Sequence, residues 1–304
     1  MQQSGLVFSR IQSPSSILTF QKCPRKYYFR YILGIEGPPT LPLVRGKVVH
    51  SVLEDFFNLN PSNLTRENAE FVLSMAAQEI LSLKWRAESA LLELCPSESS
   101  RFAVFEESLL MVQQWIHRFV LPRLLAMQGE PRDNFAFIVP DRERHFLSKQ
   151  MGVQGFVDVI ERVNGEVRIM DYKTSQSIDV DEHRLQLGIY AMLYEEQQGI
   201  LPHKVGVYFL KNSSAEFVPV DSALVDYARR EVAFTHEKTQ TTVLENYPLR
   251  PGSHCKWSSG QCEYYDYCFK GKKIPEGAVF RTSHRERAVS GETVLNSSPE
   301  ERKV

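Results

Sequence analysis

Apolar residues recur along this chain at two periods, and the switches between them divide it into segments. The run SSILTFQK has helical spacing, with Ser15 or Ser16 as its cap, and stops before Cys23-Pro24. Pro24 suits the first turn of a second helix, PRKYYFRYILGI, which Gly34 ends. A Pro-rich loop, GPPTLP, leads into GKVVHSVLEDFF, where Val49, Leu53, Phe56 and Phe57 form a buried stripe. Residues 65–126 keep the helical period throughout. Phe102, Phe105, Leu109, Val112, Ile116 and Phe119 recur at spacings of three and four, a bundle-type face that Pro122 kinks or ends.

The period then shortens to two. Strands are expected over about 134–147 and in GFVDVIERVNGEVRIMDYKTS, residues 155–175, where Asn164-Gly165 joins two of them. A two-residue Asn-Gly loop is the strongest short hairpin signal, because both central positions need positive φ. A helix follows over 181–198, then the strand VGVYFL, a partner AEFVPV and a helix over 222–244. From Pro248 to Lys273 the chain turns to Cys, Gly, Ser and aromatics. Residues 274–304, with few apolar groups, have the composition of a disordered tail. The pattern predicts an α/β fold over residues 1–273: a small mixed sheet at about 134–220 flanked by helices, a helical insert at about 60–130, and a cysteine-bearing lobe from 15–34 and 250–270.

Composition changes this picture little. Hydrophobic content of 42% and charged content of 24% are ordinary for a water-soluble chain of 304 residues. No apolar run approaches the roughly 20 residues of a membrane span, and the first residues lack a charged stretch followed by a long apolar one. An intracellular, cytoplasmic protein is expected. The net charge of −1 argues against wholesale coating of nucleic acid. Charge is uneven, however: Arg10, Lys22, Arg25, Lys26, Arg30, Arg45 and Lys47 face Glu36 alone within the first 50 residues, and a local basic surface can bind phosphates. Phe20, Tyr27, Tyr28, Phe29 and Tyr31 interleave with several of these cations. That mixture suits single-stranded nucleic acid, and equally the packing of two helices. The basic residues are assigned to a contact surface and the aromatics are not.

Candidate chemistry concentrates in the hairpin. With Val163 facing Glu166, continuing outward puts Asp158 opposite Asp171 and Phe156 opposite Lys173. Opposed residues share a face with Cβ atoms roughly 5 Å apart, where like charges destabilise the pair. Val167, Ile169, Asp171 and Lys173 also lie on one face. Two carboxylates and an ammonium therefore converge, and a divalent cation is the simplest missing partner. Carboxylates can hold Mg²⁺ or Mn²⁺, the metal lowers the pKa of a bound water, and a lysine can orient a nucleophile or stabilise a charged transition state. His50 lies four residues before Glu54 on the same helix face and could complete the metal shell. Gln186 and Tyr190, at i and i+4, could contact a phosphate or hold the lysine and water.

Five cysteines, Cys23, Cys95, Cys255, Cys262 and Cys268, disfavour a disulfide framework. The last three sit together in HCKWSSGQCEYYDYC, and Cys23, at a helix break, is a better fourth ligand than Cys95. Four thiolates fit a [4Fe–4S] cluster or a structural zinc, and His254 could stand in for one of them. Neither G-x-x-x-x-G-K-[ST] nor G-x-G-x-x-G occurs, which excludes a P-loop motor and the obvious dinucleotide fold.

Taken together, in order, these pieces resemble the PD-(D/E)XK nuclease superfamily, in its RecB-like branch with an iron–sulfur staple: CRISPR-associated RecB-like exonucleases, the nuclease domains of AddB and RecB, and exonuclease V type enzymes. SPSSILTFQKCPRKYYFRYILGI looks like the N-terminal cysteine segment, RGKVVHSVLEDF like the motif of the metal-binding histidine, GFVD and DYK like the two acidic strands, and QLGIYAMLY like the Q-x-x-x-Y motif. The resemblance implies a restriction-endonuclease-like core. It further implies metal held by His50, Asp158, Asp171 and the Tyr172 carbonyl, and catalysis assisted by Lys173 with Gln186 and Tyr190. A [4Fe–4S] cluster would sit on Cys23, Cys255, Cys262 and Cys268. The implied activity is a Mg²⁺- or Mn²⁺-dependent DNase, an exonuclease on single strands or ends in repair, recombination or CRISPR adaptation, working with a separate helicase or CRISPR adaptation proteins. The competing class is a non-catalytic subunit that keeps the fold to hold DNA or a helicase. One spacing departs from the family: six residues separate Cys255 from Cys262 where two are usual.

Overall fold

In the computed structural model, residues 10–176, 179–258 and 260–275 are described. Ser13, rather than Ser15 or Ser16, caps α1 (Pro14–Lys22): its hydroxyl accepts the Ser16 N–H, and the Ser16 hydroxyl accepts the Ser13 N–H. Pro14 then occupies the first turn, which shifts the cap upstream of the expected position. Helix α2 (Pro24–Tyr27) widens into a π turn over Tyr28–Ile32 and stops before Gly34, whose φ is +66°. Helix α3 (Leu41–Phe56) begins inside the expected Pro-rich loop, because Pro42 fits its first turn.

The insert contains α4 (Ala69–Ala87), α5 (Ala90–Leu94) and α6 (Glu98–Trp115), which passes through a π turn into α7 (Leu121–Ala126). Its expected apolar face is correct at Val112, Ile116 and Phe119, which are buried, and incorrect at Phe102, which is 60% exposed. Spacing of three and four reports a helix and not what lies against it. Phe105 of α6 packs edge-on against Trp85 of α4.

The strand expected from residue 134 starts later. Pro131 opens α8 (Pro131–Asn134), Phe135–Ile138 is a 3₁₀ turn with Phe135 in the core, and Pro140 lacks a ladder donor, so β1 runs Asp141–Ser148. Then follow β2 (Val153–Val163), β3 (Glu166–Lys173), α9 (Arg184–Gln198), β4 (Lys204–Phe209), β5 (Ser214–Pro219) and α10 (Ser222–Lys238). Helix α10 ends at Lys238 instead of residue 244. The five strands lie in the order β1-β2-β3-β4-β5, antiparallel except for β3–β4, which are parallel because α9 crosses between them. This is the mixed sheet flanked by helices that the sequence pattern predicts. A small lobe closes the described chain with the ribbon β6 (Lys256–Trp257) and β7 (Gly260–Gln261), then α11 (Tyr265–Phe269).

Both sheet faces are covered. Ile160, Val167, Ile169, Val205 and Val207 pack under α9 and α10, and Val159, Met170, Tyr172 and Tyr208 pack against α3 and the insert. A third cluster joins the two ends of the described chain: Phe20, Tyr27, Tyr28 and Phe29 bury against Tyr247 and Tyr264, with Tyr27 and Tyr247 stacked at 6.1 Å. The N-terminal aromatics are thus core. Two of the expected contact cations also hold this junction, since Arg25 Nε donates to the Tyr247 carbonyl (2.8 Å) and Lys26 pairs with Glu263 (3.0 Å). Arg45 and Lys47 pair with Glu107 and Glu88 of the insert. Residues 276–304, where a disordered tail is expected, lie outside the described residues. Among the described residues no helix is long and apolar enough to cross a membrane.

Candidate active site

The hairpin forms in the expected register, with Asn164 at φ 52° and Gly165 at φ 80° and Val163 paired with Glu166. The ladder stops one step short of the two aspartates, at Val159 and Met170. There the Asp158 carboxylate accepts the Tyr172 N–H at 2.7 Å, in place of a ladder carbonyl. Direct opposition of the carboxylates, expected from the register alone, is relieved by ending the pairing. Around Asp158 the alternation of β2 also slips: Val157 and Ile160, three apart, face the same core, while Val159 faces the other. Across the sheet, pairing of β1 with β2 skips Glu143 and Asp158, and Glu143 has φ 45°. Such a break re-aims a side chain, as bulges near active sites do.

Helix α3 presents His50 with Nδ1 3.4 Å from Asp158 Oδ2. Helix α9 presents Gln186, which accepts from Lys173 Nζ (3.1 Å) and donates to Asp171 Oδ1 (2.8 Å); Tyr190 lies 2.7 Å from Gln186 Nε2 and 3.4 Å from Asp171 Oδ1. Lys173 Nζ is 2.6 Å from Asp171 Oδ2. A single polar network therefore joins Asp171, Lys173, Gln186 and Tyr190. Gly155 makes room for it, since a Cβ there would stand 3.0 Å from the Tyr190 ring.

Electrostatics divide the site into two halves. Burial would lower the His50 pKa, but the Asp158 carboxylate outweighs it and drives the imidazole up to about 9. Against the same burial, His50 and the Tyr172 N–H hold Asp158 below the usual carboxylate range. Asp171 is pushed up, by burial first and by Asp158 next, although Lys173 opposes this. Burial acts to neutralise Lys173, yet Asp171 raises it above its ordinary value, so it is cationic at neutral pH. Glu143 is raised to about 7 by burial and by the carboxylates of Asp158 and Glu54. A cleft lined by His50, Glu54, Arg142, Glu143, Asp158 and Tyr172 opens here. One ligand atom each from His50, Glu143 and Asp158 lies within 4.8 Å of the others, a spacing that a divalent cation could span.

His50, Asp158, Asp171, Tyr172, Lys173, Gln186 and Tyr190 are thus brought together, and Glu143 is the member that the sequence reading missed. It sits in DRERHFLS with no motif around it. The available signal was the turn ending at Gly152, which sets the β1–β2 register and so places Glu143 beside Asp158.

The cysteines fall elsewhere, in the junction lobe. Cys95 is buried apart in the insert, after α5. The Cys268 thiol is pushed up to about 11, by burial first and then by the neighbouring thiols of Cys23, Cys262 and Cys255. Among the described residues no three cysteine sulfurs lie within 4.8 Å of one another.

A profile of the PD-(D/E)XK nuclease superfamily matches residues 12–269, and the chain belongs to that superfamily, whose chemistry is hydrolysis of phosphodiesters. Among relatives, the chain is 24% identical over 216 residues to the gene 69 protein of Mycobacterium phage D29, covering 66% of this chain and 74% of that protein. It is also 41% identical over 58 residues to the gene 69 protein of Mycobacterium phage L5, 19% of each. Among solved structures, a Eubacterium rectale protein described as a candidate exonuclease aligns over 91% of this chain and 95% of its own, at 12% identity and a TM-score of 0.45.

Proposed function

We propose that this protein is a divalent-metal-dependent deoxyribonuclease, an exonuclease that acts on single strands or DNA ends. The observation that carries the reading is the convergence of His50, Asp158, Asp171 and Lys173 beside one open cleft, in a chain of a nuclease superfamily. The donor set fits a hard cation: His50, Asp158, Asp171 and the Tyr172 carbonyl would hold Mg²⁺ or Mn²⁺, and the bound ion would supply an activated water and neutralise phosphate charge.

The remaining chemistry belongs to the chain. Lys173 is cationic and fixed between Asp171 and Gln186, so it serves as a donor to the scissile phosphate or to the attacking water, and not as a general base. Gln186 holds Asp171 and Lys173 in one geometry, and Tyr190 closes the network behind them. The like charges that meet at Asp158 and Asp171 are the reason a cation is favoured here.

The reading includes a [4Fe–4S] cluster on Cys23, Cys255, Cys262 and Cys268. Its support is that Cys268 has the other three thiols as neighbours within one lobe. Such a cluster would join the two ends of the described chain.

Exonuclease action is tested by offering linear and covalently closed circular single-stranded DNA together with Mn²⁺. Loss of the linear strand with the circle intact is expected. Nicking of the circle at a similar rate would replace the exonuclease reading with an endonuclease one.

A further inference from the structure

The polar groups of the cleft are not exhausted by those that the sequence motifs pick out. Asp171 is already engaged on three sides, by Lys173, Gln186 and Tyr190. Asp158 instead faces outward, between His50 from α3 and Glu143 from β1. Glu143 reaches this position because β1 and β2 break their pairing at these two residues, and because its own backbone takes φ 45°, a conformation that non-glycine residues seldom adopt. Regular pairing would give β1 an uninterrupted ladder here, so the break brings this acid into the cleft at a cost. The Glu143 carboxylate stands with Asp158 and Glu54 around it, and Lys173 is bound on the far side by Asp171.

We infer that Glu143 is a further metal ligand, which joins His50 and Asp158 on the cleft side of the proposed divalent-cation site and makes that site favour Mn²⁺ over Mg²⁺. The inference rests on the nuclease reading for the presence of a metal, and adds a ligand from β1. Two arguments support the donor count. One ligand atom each from His50, Glu143 and Asp158 lies within 4.8 Å of the others. One imidazole with two carboxylates is a mixed nitrogen–oxygen set, which suits a first-row transition ion such as Mn²⁺ better than Mg²⁺, an ion that keeps oxygen ligands and its own waters. A cation there also accounts for three acids sharing one cleft, which in its absence repel one another.

The test is titration of the full chain with Mn²⁺ alone, followed by the paramagnetic signal of free Mn²⁺ and by calorimetry, for wild type, Glu143→Gln and Asp158→Asn, with circular dichroism to establish folding. Loss of an outer-shell partner typically weakens metal binding roughly 10- to 100-fold, so Glu143→Gln should lose at least tenfold in Mn²⁺ affinity and less in Mg²⁺ affinity. Its metal-free melting temperature should not fall, because a repulsive charge has been removed. Wild-type Mn²⁺ affinity in a folded Glu143→Gln, with binding lost in Asp158→Asn, would overturn the role of Glu143 and leave the nuclease reading standing. Absence of Mn²⁺ binding by the wild type would overturn both.

Discussion

At the scale of the residue, the site depends on two positions where side-chain size and backbone shape decide the outcome. Gly155 lets the Tyr190 ring lie on β2; a methyl group there would meet that ring at 3.0 Å. Gly155→Ala should therefore displace Tyr190, loosen Gln186 and Asp171 behind it, and destabilise the fold by about 1–3 kcal/mol, as overpacking does. Melting temperature and cleavage rate should fall together, and an unchanged pair of values would remove Gly155 from the account. Glu143 is the second position. Asp158, Asp171, Lys173 and His50 stand in short motifs that can be read along the chain. Glu143 joins them only through the break in pairing between two strands, and no local pattern encodes that. The same limit applies to Asp158 and Asp171: the register is legible from Asn164-Gly165, but the point where the ladder ends is a three-dimensional compromise between two charges.

At the scale of the element, legibility follows how local the cause is. The hairpin, α9 and strand β4 follow from turn chemistry and period, and form where expected. The start of α3 and the 3₁₀ turn before β1 do not, because a proline in a first turn and a proline within a strand leave similar traces in sequence. Phe102 illustrates a third case, in which the period is correct and the side chain is left 60% exposed. Helix α10 offers a test of docking. His236, near its C-terminus and buried, contacts the Gly152 carbonyl at 3.0 Å, and burial lowers its pKa below the ordinary 6.5. The unfolded chain then binds a proton that the native state resists, so the stability contributed by this residue is present above pH 6.5 and lost as pH falls below it. Denaturant melts of wild type and His236→Gln should diverge above pH 6.5 and converge below it. Parallel curves over pH 5 to 8 would contradict this.

At the scale of the whole molecule, the sheet carries the acids, the helices on its two faces supply His50, Gln186 and Tyr190, and a lobe built from both ends of the described chain stands apart with the thiols. The junction of that lobe is aromatic and well bonded, through Tyr27 on Tyr247 and the Arg25 and Lys26 contacts. A cluster would add covalent closure to it. Anaerobically purified protein should be brown and contain iron and sulfide, and Cys23→Ser should bleach it; colourless wild type with one zinc per chain would contradict the cluster.

If the opposed aspartates form a metal site for cutting DNA, end-labelled single- and double-stranded DNA should be degraded by the wild type with Mg²⁺ or Mn²⁺, and both EDTA and an Asp171→Asn substitution should abolish that degradation. Folded, metal-loaded wild type that binds DNA and leaves it intact with either ion would contradict this role.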